Sequence, residues 1–291
     1  MRNEGKTGAV IVAYHPELGR LEALIQSLFS QVERIIIINN GPTNLLLSKS
    51  DETIQVEPIG QNIGVGAAIN HGVELLIKQD FSRALLLDQD SQIGEGFVAT
   101  LTRHLDDHQT SGHSVAAIGP RIRDHNDAQS APFIRFRLPF NKRLDQEQGC
   151  AACDFLITSG CLINLDHWPT VGPMRASWFI DNIDLEWCFR AQRKGLTILG
   201  CFDTTLDHRI GDREQLLGII TYRRHSPERL YTMMRNRLFL YRSGAPIAFI
   251  VQDSLRAIGK FGLFSLIPPR WQHAKAMLSG LRDGLKTRPV P

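Results

Sequence analysis

Ala84-Leu-Leu-Leu-Asp-Gln-Asp-Ser91 sets four uninterrupted apolar residues against two acids, at positions 88 and 90. A short continuous apolar run is the mark of a strand buried on both faces, and here it stops abruptly. In open α/β sheets, ligands sit beyond the carboxyl ends of the strands. Two acids two residues apart on extended backbone project to one side, where they can share a hard divalent cation that also holds phosphate oxygens. An isolated Asp-x-Asp is more often a solvated turn, so its weight comes from the pattern around it.

That pattern is regular on both sides. Upstream, Gly8-Ala-Val-Ile-Val-Ala-Tyr14 and residues 34–38 read as buried strands, and residues 54–58 as a shorter third. Residues 18–32 and 65–78 carry helical spacing, as do residues 97–108 downstream, before a fifth strand over 115–118. Strands alternating with helices of this length imply βαβ units, hence an α/β fold with a mostly parallel central sheet flanked by helices. Beyond Pro120 the rhythm breaks: residues 121–150 read as an irregular excursion or β-ribbon, 155–165 as strand-like, and 181–194 as a helix stopped by Gly195. From Ser226 the pattern is helical, with Pro268-Pro269 as a break.

Composition narrows the class. At 291 residues and 43% hydrophobic the chain can build a core without disulfides, which excludes intrinsic disorder. No apolar run approaches the roughly 18 residues of a membrane span. Five cysteines and no leader-like opening segment lead us to expect a reducing, cytoplasmic setting. The net charge of +3 is uneven: residues 221–291 hold 13 Lys/Arg against 3 Asp/Glu, leaving the first 220 residues net acidic. A basic end implies an anionic partner such as a lipid surface, a diphosphate or nucleic acid, or else a solvated helical face.

Three further clusters carry chemistry. Gln61-Asn62-Ile-Gly64-Val-Gly66-Ala-Ala-Ile-Asn70-His-Gly72 opens a helix with small residues, which admits either an anion or a closely packed neighbour. Its third dinucleotide-type glycine is absent (Ile69 stands there), which disfavours an oxidoreductase. Trp178-Phe-Ile-Asp181-Asn-Ile-Asp184-Leu-Glu186-Trp187 places Asp181 where an N-cap is wanted and Asp184 at capping-box spacing. A carboxylate in a first helical turn is stabilised as the ion that a general base must be. Finally, His208 in Leu206-Asp-His-Arg-Ile-Gly211 could complete a metal site begun by Asp88 and Asp90, although a lone histidine is usually structural. Cys150-x-x-Cys153 lacks a second pair at zinc-ribbon spacing, so no zinc site is expected from it.

These clusters, in this order, resemble the inverting family 2 glycosyltransferases of the GT-A fold, and most nearly the bacterial rhamnosyltransferases that build O-antigen and related polysaccharides. The likeness spans about residues 7–245, with Thr158-Ser-Gly160, Arg223-Arg-His-Ser-Pro-Glu-Arg-Leu-Tyr231 and Arg235-Asn236 adding to it. It implies a nucleotide-diphospho-sugar transferase domain over residues 1–220 and a basic helical region over 221–291. Ala13, Tyr14, Asn40, Asn62, Gly64, Gly66, Asn70, Asp88 and Gln89 would then meet the donor nucleotide. Asp88, Asp90 and His208 would hold Mg²⁺ or Mn²⁺. Where the common pattern has Glu-Asp, this chain has Ile183-Asp184 with an extra acid at Asp181; Asp184 is the expected base and Asp181 the second catalytic candidate. Ser159, Gly160, Glu186, Trp187, Arg235 and Asn236 would contact the acceptor.

The resemblance further implies a nucleotide-sugar donor, dTDP-L-rhamnose in this subfamily, and a glycan or polyprenyl-diphosphate-linked acceptor. A peripheral location on the cytoplasmic face of the inner membrane would follow. Arg223, Arg224, Arg229, Arg235 and Arg237 could face the diphosphate, and Phe261, Leu263, Phe264, Leu266, Ile267 and Trp271 resemble an interfacial segment. A non-catalytic nucleotide-sugar-binding or assembly subunit is the competing reading, which the presence of Asp88, Asp90, Asp184 and His208 disfavours. No aromatic-basic interleaving of the RNA-binding kind is present.

Overall fold

The structure is a computed structural model that describes residues 5–48, 51–124, 130–208, 213–216, 220–223 and 225–287. The chain begins β1 (Thr7–Ala13), α1 (Leu18–Leu28), β2 (Arg34–Asn39), β3 (Ile54–Pro58), α2 (Val65–Lys78), β4 (Arg83–Asp88), α3 (Phe97–Thr110) and β5 (Val115–Asp124). A ribbon region follows: β6 (Ser130–Ala131), β7 (Phe133–Arg135), β8 (Lys142–Leu144) and β9 (Cys150–Ala152). Then come β10 (Cys161–Asn164), α4 (Trp168–Val171), α5 (Ile183–Arg193), β11 (Thr197–His208), β12 (Arg213–Leu216) and β13 (Ile220–Arg223). Helices α6 (Pro227–Arg242), α7 (Ile247–Leu266) and α8 (Arg270–Lys286) close the described chain.

The main sheet runs in the order β3-β2-β1-β4-β10-β5-β11-β9, with β6 added to β5. β1, β2, β3 and β4 are mutually parallel, and β11 is parallel to β5. The short β10 is inserted antiparallel between β4 and β5. Such a sheet must be covered on both faces. Alternate residues of β1 do this: Ala9, Ile11 and Ala13 pack with Leu21, Leu24 and Leu28 of α1 and Leu101 of α3, whereas Val10 packs with Ile69, Val73 and Leu76 of α2. The carboxyl ends of β1 and β4 thus come side by side, with Val12 in register with Asp88.

Two sequence expectations shift. The strand-like reading of 155–165 reduces to β10, because Gly160, at φ +81°, turns the chain just before it. The helix expected from Asp181 begins at Ile183, since Asp181 and Asn182 both lie at φ +65° and cannot continue a right-handed turn. Asn182 is the N-cap position and no side chain caps it, so the capping box read at Asp181–Asp184 does not form.

The basic C-terminal helices are not detached. α6 packs against α8, and Phe239, Leu240 and Phe249 join the same apolar cluster as α2 and α5. Among the described residues, no helix is long and apolar enough to cross a membrane.

Candidate active site

Asp88 ends β4, and the Ser91 amide bonds the Asp88 carbonyl at 3.1 Å, so Gln89 and Asp90 lie in a turn rather than on extended strand. The turn is pinned twice. The Gln89 carboxamide accepts from the Tyr14 amide at 2.6 Å and donates to the Tyr14 carbonyl at 3.2 Å, tying β4 to the end of β1. Buried Ser91 and Ser159 share a hydroxyl–hydroxyl bond of 2.6 Å, and the Asp88 amide donates to the Ser159 oxygen at 3.2 Å. Ser159 therefore braces the acidic turn, and neither it nor buried Gly160 stands as an acceptor contact.

Asp184 lies in the first turn of α5, and its carboxylate accepts the Leu185 amide at 2.8 Å. Burial nonetheless pushes its pKa up to about 6, against the lowering effect of that bond, and the negative charges of Asp181 and Asp88 push it further in the same direction. Asp88, Asp181 and Asp184, nearly a hundred residues apart in the chain, therefore share one electrostatic environment. Asp181 accepts from Arg229 at 3.1 Å through one oxygen, while its other oxygen is buried without a hydrogen-bond partner. Asp90, half-buried, has no ion-pair partner among the described residues. The carboxylates of Asp88 and Asp90, hard oxygen donors in a region of accumulated negative charge, suit a hard divalent cation in their chemistry. At the far side, Gln92 and Asp207 form an antiparallel bridge that brings the end of β11 beside the acidic turn. The His208 side chain lies outside the described residues, as do Arg224 and the Arg223 side chain.

The glycine-rich start of α2 is engaged within the chain. The Asn40 carboxamide accepts from the Ile63 amide at 2.9 Å and donates to Asn62, whose oxygen also takes the Gly64 amide at 2.9 Å. The Val65 amide is taken by the Phe179 carbonyl at 2.8 Å. A Cβ on Gly64, itself at φ +85°, would lie 2.7 Å from that same carbonyl, and one on Gly66 would lie 3.1 Å from the Arg175 carbonyl. Gly64 and Gly66 thus admit the chain's own 175–179 segment. Asn70 is used likewise, exchanging two hydrogen bonds with the Met174 backbone. Ala13 is buried, whereas Tyr14, just past the end of β1, is 46% exposed.

The acceptor set also needs correction. Glu186 is fully buried and ion-paired with Arg190 at 2.8 Å and Arg175 at 3.2 Å. Trp187 is buried too and donates to the Gly172 carbonyl. Asn236 is wholly buried, its amide reaching the carbonyls of Trp178 (2.8 Å), Ile180 (2.6 Å) and Asp181 (3.2 Å). Arg235 donates to the Trp178 carbonyl as well and stacks over Tyr231 and Phe239. These side chains hold the Asp181–Asp184 loop from behind. No local sequence signal distinguishes such a brace from a ligand contact, because its partners are backbone carbonyls 55–58 residues away.

The expected interfacial segment divides similarly. Phe264 and Ile267 are buried, while Leu266 and Trp271 (88% exposed) face outward. The larger apolar face is one the sequence reading passed over: Ile247, Val251, Leu255 and Ile258 form an exposed stripe along α7.

Comparison with known proteins agrees with this fold. Residues 9–164 match the model of glycosyl transferase family 2. The dTDP-rhamnosyl transferase RfbF of Shigella flexneri is 28% identical over 251 residues, covering 84% of this chain and 83% of that protein. Among solved structures, GalNAc-T7 with UDP, GalNAc and Mn²⁺ superposes with a TM-score of 0.61 at 12% identity, over 98% of this chain but 55% of that longer one. Residues 1–349 of S. aureus TarS give a TM-score of 0.57 at 13% identity, over 95% of this chain and 81% of that one. Those likenesses establish the GT-A glycosyltransferase fold.

Proposed function

The chain belongs to glycosyl transferase family 2, and on that premise we propose that this glycosyltransferase moves L-rhamnose from dTDP-L-rhamnose onto a hydroxyl of a growing cell-surface polysaccharide or lipid-linked glycan. The donor reading rests on the likeness to the Shigella flexneri enzyme. The mechanism rests on one observation, that Asp184 lies close enough to Asp88, at the carboxyl end of β4, and to Asp181 for their charges to act on it.

Asp88 and Asp90, with His208 as a third candidate, would hold Mg²⁺ or Mn²⁺. When bound, such a cation neutralises negative charge that develops on the departing diphosphate. Tyr14, clamped by Gln89 at the end of β1, offers its exposed ring to the nucleoside. Asp184 accepts the proton of the acceptor hydroxyl, which attacks the anomeric carbon from the face opposite the diphosphate and inverts it. A single displacement needs no enzyme nucleophile. Partial burial of Asp184 holds its basicity nearer neutrality than that of an exposed carboxylate.

The exposed α7 stripe, on an end of the chain with net positive charge, supports contact with an anionic membrane surface at the cytoplasmic face. The central test is release of nucleoside diphosphate from a panel of sugar donors, with Mn²⁺ or Mg²⁺ and acceptor present. The expected result is dTDP from dTDP-L-rhamnose, lost in Asp184→Asn. Equal release by that variant overturns the base assignment, and no release from any donor favours the non-catalytic subunit.

A further inference from the structure

We propose that His104, Cys150 and Cys201 form a second metal site, specific for a thiophilic divalent cation of the zinc class, with Asp203 orienting the imidazole. The three residues come from α3, β9 and β11, and their ligand atoms all lie within 4.8 Å of one another. A tetrahedral ion with metal–sulfur bonds near 2.3 Å and metal–nitrogen bonds near 2.0 Å holds its ligand atoms about 3.5–3.8 Å apart. Small side-chain rotations close that difference.

Strand register explains why the two thiols meet. Cys150 stands directly opposite Cys201 in the antiparallel β9–β11 pair. The Phe202 amide bonds the Gly149 carbonyl at 2.8 Å, and the Cys153 amide bonds the Ile198 carbonyl at 2.9 Å. This alternation makes Cys150–Cys201 a non-hydrogen-bonded pair, the type in which opposed side chains approach most closely. Both are free thiols, Cys201 buried and Cys150 partly open, which leaves a path for an ion. Cys153, the partner that chain spacing would nominate, instead lies in the apolar cluster on the other face of the sheet and donates to the Phe155 carbonyl.

The histidine is prepared as a metal-binding histidine usually is. His104 Nε2 lies 2.6 Å from the Asp203 carboxylate, whose other oxygen accepts the Gly149 amide at 2.7 Å. A carboxylate so fixed sets the orientation and tautomer of the ring. Two sulfurs and one imidazole nitrogen select a softer ion than the all-oxygen acidic pocket does, so the two sites would not compete for one metal. Binding displaces the two thiol protons to solvent and leaves one coordination position for water. The ion would tie α3, which follows the acidic turn, to β11, just before its register shift between Cys201 and Thr205 and upstream of His208.

The test is zinc content of the full chain, purified without chelator and dialysed against excess Mg²⁺. We expect about one equivalent per chain, and cobalt substitution should give thiolate-to-metal charge-transfer absorption. His104→Gln and Cys201→Ser should lose the ion, Cys153→Ala should retain it, and Asp203→Asn should bind roughly 10-fold more weakly. His104→Gln carries the decision if Cys201→Ser folds poorly, since it changes a side chain near the surface and leaves both thiols intact. Zinc content in the unsubstituted chain no higher than in His104→Gln overturns the proposal. So does an intact mass two hydrogens low with Cys150 and Cys201 unreactive, which would mean a cross-strand disulfide.

Discussion

Asp184 accepts the Leu185 amide and sits in a first helical turn, both of which favour its charge, yet burial and the neighbouring acids still hold it up at about 6. The linkage follows from the sign of that shift. A folded pKa above the unfolded value of 3.8 means the fold prefers the protonated acid. That preference contributes fully below pH 3.8 and is lost as pH rises through about 6, so at pH 7.5 the ionised form costs stability. Asp184→Asn should therefore raise the melting temperature at pH 7.5, by on the order of 1–2 kcal/mol of unfolding free energy. The same change should lower kcat by roughly 10²–10⁴-fold. Thermal melts at pH 5 and 7.5 alongside turnover would check both, with the stabilisation shrinking at the lower pH. In the unsubstituted chain, kcat/KM should fall with acid on a limb at or below about 6, because a cation held at Asp88, as proposed, would offset one of the charges that raise Asp184.

At the level of elements, the loop that delivers Asp184 is bent by three residues at positive φ, Phe179, Asp181 and Asn182. Such conformations persist only where the surroundings over-determine them. Asn236 of α6 supplies part of that constraint, and the Phe179 carbonyl bonded to Val65 supplies another part. Asn236→Asp keeps the size but removes the donors, so it should cost about 1–3 kcal/mol and depress kcat more than donor affinity, as a paired kinetic and equilibrium-binding measurement would show. Gly64→Ala would place a methyl against the Phe179 carbonyl and should destabilise by roughly 1–3 kcal/mol. Gly94→Ala, which meets open space, should stay within about 0.5 kcal/mol in the same denaturation series. This loop is also where sequence reading failed. The acids of residues 181–186 are visible in the chain, but their sorting into Asp184 at the pocket and Glu186 in the interior depends on Arg175, Arg190 and Asn236 arriving from elsewhere. Only the Glu186–Arg190 spacing of four residues was a local clue. The β1–β4 core was legible because each strand is one unbroken apolar run; the antiparallel insertion of β10 was not, since orientation leaves no trace in hydrophobic pattern.

On the scale of the whole molecule, the C-terminal region of the chain combines net positive charge with exposed apolar side chains. α7 carries the exposed stripe of Ile247, Val251, Leu255 and Ile258, and Trp271 near the start of α8 is exposed too. Leu255→Asp together with Ile258→Asp should abolish sedimentation with vesicles rich in anionic lipid while leaving turnover of a water-soluble acceptor unchanged. Raising the salt should weaken binding of the unsubstituted chain, because screening acts on the basic contribution and not on the apolar one. The excess of positive charge was legible from composition, whereas the stripe was not, because α7 is apolar on its inner face as well and its exposed side emerges only once α6 and α8 are packed.

The dependence of the Asp184 loop on α6 also has a temporal side. Synthesis proceeds from the amino end, so the sheet through β11 is made before Asn236 exists. A nascent chain therefore presents its acidic turn with the neighbouring loop still unmoored. The brace arrives only with α6, and α7, which carries the outward apolar stripe, follows it directly in the order of synthesis.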